Sequence, residues 1–336
     1  METEKRKIEK KQKVLLGGLK QKIHIKTEDD SLPVLLFLHG GPGMPDRHGV
    51  MEANTDLLDA FTIVAWDQRG SGGSRWGAKQ ENLTVERFTD DAAELVDWLC
   101  GTFKKDKIFI IGGSWGSVLG SLLVYRYPKK IAAYVGYGQL VDGAENERLS
   151  FEFALTEAKK AGDAESVEQL LSVGPPEKGV YKGGMSGLLT QRKIMMRYGG
   201  HSPKADKEKK QNLVVYFAKS LLKSGEYSIG DLLGTMTGAS FVLKNMWPQV
   251  AGINLAEACP EYKMPYFIFD GRLDSMTPAA LVEDYFDRIK APHKELHWFG
   301  NSGHNPIYEE PEAFKKLLRE KLNVVAAAER ERGAIL

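Results

Sequence analysis

The chain has 336 residues, 46 Lys+Arg against 45 Asp+Glu and a formal net charge of +1; that balance argues against nucleic-acid and membrane-surface partners. A composition 42% hydrophobic and 27% charged supports a sizeable core and excludes wholesale disorder. There is no apolar run of transmembrane length, no apolar stretch behind the charged start METEKRKIEKKQK, and no metal or redox spacing between Cys100 and Cys259, so a cytoplasmic protein without a metal is expected.

The first thirteen residues read as a charged arm, frayed or helical, and the partial alternation from Lys13 to Ile25 reads as an edge hairpin. Four short apolar runs follow, Val34–Leu38, Phe61–Trp66, Lys107–Ile111 and Ile131–Tyr137, with the continuous β-branched and aromatic character of strands buried on both faces. Helical patterns lie between them. Thr84–Cys100 opens on a capping Thr and repeats Phe88, Leu95 and Leu99, and Ser117–Tyr127 stops at Pro128. This alternation predicts an α/β fold with a mostly parallel central sheet flanked by helices.

From about Val141 to Trp247 the chain turns helical and polar. Leu213, Phe217 and Leu221 fall on one helix face, and Gly183–Gly184, Gly199–Gly200 and Pro203–Lys210 read as loops. Strand patterns return at Met264–Phe269 and Glu295–Phe299, with helices at Pro278–Ile289 and Pro311–Leu322. The expected organisation is a core in two parts, residues 1–140 and 251–336, interrupted by a helical insertion at residues 141–250.

Gly112-Gly113-Ser114-Trp115-Gly116 fits the G-x-S-x-G nucleophile elbow, and its position between a strand and a helix gives the pattern its weight. A phosphate loop would want a Lys after the glycines, and none is there. A serine hydroxyl needs a base, and the base an orienting acid. His304 is the one histidine in the loop after the last strand, where an imidazole can reach over the sheet edge. For the acid, Asp270 and Asp274 both follow the preceding strand run. Asp270 sits at the strand end; Asp274, whose competing reading is a helix cap or Asx turn, leaves a longer loop to reach a histidine and is the choice. Backbone N–H donors for an oxyanion are expected from Trp115, directly after the serine, and from Gly41 in His39-Gly40-Gly41-Pro42-Gly43.

Together HGGPG (His39–Gly43), WDQRGSGGS (Trp66–Ser74) and GGSWGS (Gly112–Ser117), with GRLDSMTP around Asp274 and SGHNPIYEEPE around His304, resemble the α/β-hydrolases related to proline iminopeptidases, a family of prolyl aminopeptidases. The resemblance implies a helical cap domain, a Ser114–Asp274–His304 triad, an oxyanion hole from Gly41 and Trp115, and neither metal nor organic cofactor. It also implies that Asp67-Gln68-Arg69-Gly70 shapes the site structurally. The expected activity is a serine hydrolase working through an acyl-enzyme, a proline iminopeptidase-like aminopeptidase that releases an N-terminal residue from short peptides. The alternative is a carboxylesterase or amidase acting on small non-peptide substrates. Acids in the cap would be needed to bind a substrate ammonium; Glu145, Glu147, Glu152, Glu226 and Asp231 form no local pattern and read mostly as solvated helix faces. Oligomeric state is not legible.

Overall fold

The computed structural model describes residues 6–203 and 225–336. Its strands are β1 (Ile8–Leu16), β2 (Leu19–Thr27), β3 (Val34–Leu38), β4 (Thr62–Trp66), β5 (Ile108–Gly113), β6 (Ile131–Tyr137), β7 (Tyr266–Gly271) and β8 (Lys294–Phe299). They form one sheet in the order β1-β2-β4-β3-β5-β6-β7-β8. β2 runs antiparallel to β1 and β4, and every pair from β4 to β8 is parallel.

Period-2 geometry divides the central strands between two cores. Val34, Leu36 and Leu38 join the cluster under helices α2 (Val85–Phe103) and α3 (Trp115–Arg126), while Leu35 and Phe37 face the other side. There they meet α1 (Arg47–Ala53) and the long closing helix. All five residues of β3 are buried, which explains why the strand reads as a continuous apolar run. Thr84 caps α2 by accepting from the Arg87 N–H at 3.1 Å, as its sequence position predicts.

The amino-terminal expectation needs correction. Residues from Ile8 onward are not an arm but β1, paired with β2 along its length from Ile8↔Thr27 to Leu16↔Leu19. Most of β1 is exposed, and only Val14 and Leu16 are buried; backbone pairing holds the charged stretch in the sheet where side-chain burial cannot.

Between β6 and β7 lie α4 (Gly143–Lys160), α5 (Ala164–Val173), α6 (Met185–Arg197) and α7 (Ile229–Ala251). The chain enters and leaves this helical segment side by side: Gly143 N–H donates to Ile253 O at 2.9 Å and Leu255 N–H to Val141 O at 2.8 Å. Asp142 caps α4 through the N–H groups of Ala144 and Glu145 and also accepts from Asn254 Nδ2 at 2.8 Å. Leu213, Phe217 and Leu221, with the Lys-rich stretch beyond Pro203, lie outside the described residues. The short α8 (Leu255–Ala258) precedes β7, and after β7 come α9 (Ala279–Arg288), α10 (Pro306–Glu309) and α11 (Pro311–Glu331). α11 runs nine residues past the predicted end at Leu322, burying Val325 and Ala326. No described helix is long and apolar enough to cross a membrane.

Candidate active site

Ser114 stands between β5 and α3 with φ 55 and ψ −124, a strained conformation for a residue with a side chain. The turn is possible because the chain packs directly on itself at two glycines. A Cβ on Gly112 would lie 2.2 Å from Gly116 O, and one on Gly116 would lie 2.0 Å from Leu38 O. Ser114 N–H donates to Tyr137 O at 3.0 Å, which anchors the serine to the carboxyl end of β6.

His304 arrives at the same strand end. A Cβ on Gly138 would come within 3.0 Å of His304 Cε1, so the imidazole lies against the residue that follows Tyr137. His304 Nδ1 bonds Asp274 Oδ2 at 2.8 Å, and the pair is almost fully buried. Asp274 Oδ1 accepts the N–H groups of Met276 at 2.7 Å and Thr277 at 3.0 Å, and Thr277 Oγ1 donates to Oδ2. Asp274 therefore makes the Asx turn its sequence position suggests and orients the histidine as well. Burial alone would depress the basicity of His304; the adjacent Asp274 charge and hydrogen bond, with Asp270 behind them, outweigh it and raise the pKa.

Asp270, the other acid that sequence position allows, points elsewhere. Its carboxyl accepts the Gln139 N–H at 3.2 and 3.3 Å. Burial, then the charge of Asp274, pushes its pKa to about 8.

The HGGPG loop lies against the serine: a Cβ on Gly40 would be 3.0 Å from Ser114 Cβ and 3.6 Å from its Oγ. Trp115 is the first residue of α3, so its N–H has no intrahelical partner. Neither the Gly41 nor the Trp115 N–H donates to another group among the described residues. His39 steadies the loop. Its Nε2 accepts the Gln68 N–H at 3.1 Å, which leaves the Nδ1 proton to donate to Gly40 O at 2.9 Å. Burial lowers the His39 pKa to about 4, so the ring is neutral at ordinary pH.

The acids of the helical segment depart from expectation. Glu145 and Glu152 pair with Arg148 on an exposed face, but Glu147, Glu226 and Asp231 are buried. Each has found a cation, and desolvation is tolerated on those terms. Arg47, fully buried, bonds Asp67 at 2.8 Å, Glu226 at 2.6 Å and Asp231 at 3.1 Å. Glu147 Oε1 accepts from Arg192, while its Oε2 and the neighbouring Asn146 Oδ1 are buried without a hydrogen bond. Asn146 Nδ2 donates to Met276 O at 2.8 Å, which puts this pair against the Asp274 loop. None of these contacts, nor those of His39 and Gln68, leaves a local trace; the WDQRG motif was the only pointer.

The pattern of a family described as the alpha/beta hydrolase fold matches residues 33–165. The chain is 29% identical over 318 residues, 94% of its length and 96% of the relative's, to a probable aminopeptidase of Bacillus subtilis (strain 168). It is 24% identical over 306 residues to a proline iminopeptidase of Clostridioides difficile (strain 630), 86% of this chain and 89% of that one. Among solved structures, a proline iminopeptidase from Mycobacterium smegmatis aligns with a TM-score of 0.65 at 18% identity, over 95% of this chain and 100% of that chain. With the eight-stranded sheet and the strand–Ser–helix turn, these findings show the α/β-hydrolase fold. In sequence the chain is similar, over most of its length, to relatives named aminopeptidase and proline iminopeptidase.

Proposed function

We propose that this hydrolase is a serine aminopeptidase that removes the N-terminal residue from short peptides through an acyl-enzyme. The observation that carries the reading is the 2.8 Å His304 Nδ1–Asp274 Oδ2 bond, made at the strand end that also anchors Ser114. With Nδ1–H committed to Asp274, Nε2 is the base. It takes the Ser114 proton as Oγ attacks the acyl carbon, and the Gly41 and Trp115 N–H groups receive the oxyanion. The imidazolium then protonates the departing amine. Water, deprotonated by His304, attacks the ester; the acid leaves and the Ser114 hydroxyl is restored.

Peptidase specificity is supported by the relatives named aminopeptidase and proline iminopeptidase. It is also supported by Glu147 Oε2 and Asn146 Oδ1, buried acceptors that an ammonium would satisfy. In this reading residues 141–250 serve as the cap, and the two free, buried cysteines suit a reducing cytoplasm. The test is turnover of Pro-, Ala- and other aminoacyl arylamides, free and N-acetylated, beside short acyl esters. The peptidase reading expects hydrolysis of the free-amine substrates and its loss on acetylation. Indifference to acetylation, or activity on esters alone, selects the esterase or amidase alternative.

A further inference from the structure

Gln68 lies after β4, contributes no atom to the Ser114–His304–Asp274 arrangement, and has no exposed surface. Three of its four polar groups are nevertheless spent on the two segments that carry the candidate oxyanion donors. Its backbone N–H donates to His39 Nε2 at 3.1 Å, and its side-chain Nε2 donates to His39 O at 2.9 Å. Its Oε1 accepts the indole N–H of Trp115 at 2.9 Å. His39 opens the HGGPG loop and in turn holds Gly40 O through Nδ1; Trp115 is the residue after the serine.

The amide orientation is forced. An indole N–H can only donate and a main-chain carbonyl can only accept, so the side chain at 68 must offer an acceptor to one and a donor to the other. Glutamate would set a carboxylate against the His39 carbonyl, and asparagine is one methylene short. Ser71 closes the arrangement, its Oγ donating to Gln68 O at 2.7 Å.

We propose that Gln68 is a positioning residue that fixes the spacing between the Gly41 and Trp115 N–H groups, so that both meet the oxyanion at once. The inference rests on the serine-hydrolase reading above. Two donors on separate loops act on one oxygen only if their separation is fixed to within about half an ångström. The Gln68 amide is the one side chain among the described residues that hydrogen-bonds both His39 and Trp115. Its contribution therefore falls on the tetrahedral state and not on ground-state binding.

The test uses the full chain and 4-nitrophenyl acetate. Gln68→Met keeps size and burial but removes the polar bridge. It is expected to lower kcat by about ten- to a hundredfold, a fraction of the loss on removing an oxyanion donor outright, with KM within about twofold. Affinity for phenylboronic acid, which forms a tetrahedral adduct with the serine, should fall by a similar factor. Gln68→Glu should be worse. If Gln68→Met does not fold, Trp115→Phe cuts only the indole bond while keeping the backbone donor, and should lower kcat about threefold or more at constant KM. A folded variant with kcat and boronate affinity unchanged overturns the inference. Ser114→Ala in the same assay separates the two proposals: full turnover by that variant removes the serine-hydrolase reading itself, whereas its inactivity beside unaffected Gln68 and Trp115 variants removes only the role of Gln68.

Discussion

The backbone N–H of His304 donates to the carbonyl oxygen of His201, 2.7 Å away, so the helical segment between β6 and β7 holds the loop that carries the candidate base. The same stretch reaches the acid loop, where Ser275 N–H donates to Gly200 O at 2.9 Å. The two imidazole rings lie 5.3 Å apart, and Asn305 Nδ2 bonds His201 Nε2 at 3.2 Å.

The ring contact makes a charge prediction. Burial, then the proximity of His304, lowers the His201 pKa to about 4, so His201 is neutral while the site works. The ionisable groups acting on His304 are Asp274, Asp270 and Arg192. A permanent cation in His201→Lys adds like charge and disfavours the imidazolium, moving the acid limb of the kcat/KM profile down by about one pH unit. His201→Gln should leave that limb in place. An unmoved limb in the Lys variant contradicts the contact.

The two acids of the β7 loop should separate cleanly in turnover. Asp274→Asn loses the partner of His304 Nδ1 and should lower kcat by about a thousandfold or more. Asp270, with a pKa of about 8, is mostly uncharged near pH 7, so Asp270→Asn should stay within about threefold of wild type there. Steady-state kinetics on any accepted substrate decides it, and equal losses would contradict the assignment of roles.

Asp270 also affects stability. Its folded pKa is raised above the unfolded value, so its contribution is complete below about pH 4 and is lost as pH rises towards 8. Asp270→Asn retains an acceptor for the Gln139 N–H and removes this dependence. Urea unfolding should show little difference at pH 4 and a variant more stable by about 1 kcal/mol or more at pH 8. Equal pH slopes would contradict it.

Arg47 joins α1 to both the core loop and the helical segment through Asp67, Glu226 and Asp231. Burial opposes ionisation of Glu226 and Asp231, but their basic neighbours hold both pKa values below the usual range. That support is therefore present above about pH 4 and is lost as pH falls further. Arg47→Met leaves three carboxylates without their shared cation and should cost about 3–5 kcal/mol. Thermal unfolding should also show a shallower loss between pH 5 and 3 than in wild type.

Much of this architecture was legible locally. The parallel strands announce themselves because burial on both faces demands unbroken apolar runs, and the elbow because Gly112, Ser114 and Gly116 fall within five residues at the junction of strand and helix. Asp274, which bonds His304, was preferred to Asp270 on loop reach alone. β1 escaped because Glu9, Lys10, Lys11 and Lys13 are solvent-facing in a strand held by backbone pairing to β2. The buried state of Glu147, Glu226 and Asp231 escaped because the cations that neutralise them, Arg192, Arg47 and Lys22, are distant in sequence. The bridging role of Gln68 was hidden for the same reason: its partners lie 29 and 47 positions away.

The most direct test is covalent. A fluorophosphonate probe reacts with a hydroxyl only when a neighbouring base and oxyanion donors activate it. Intact-mass analysis with peptide mapping should find one adduct, on Ser114, absent in Ser114→Ala and slowed at least about a hundredfold in His304→Ala. An unlabelled wild-type chain that still hydrolyses its substrate, or an adduct on another residue with Ser114→Ala fully active, would contradict the account.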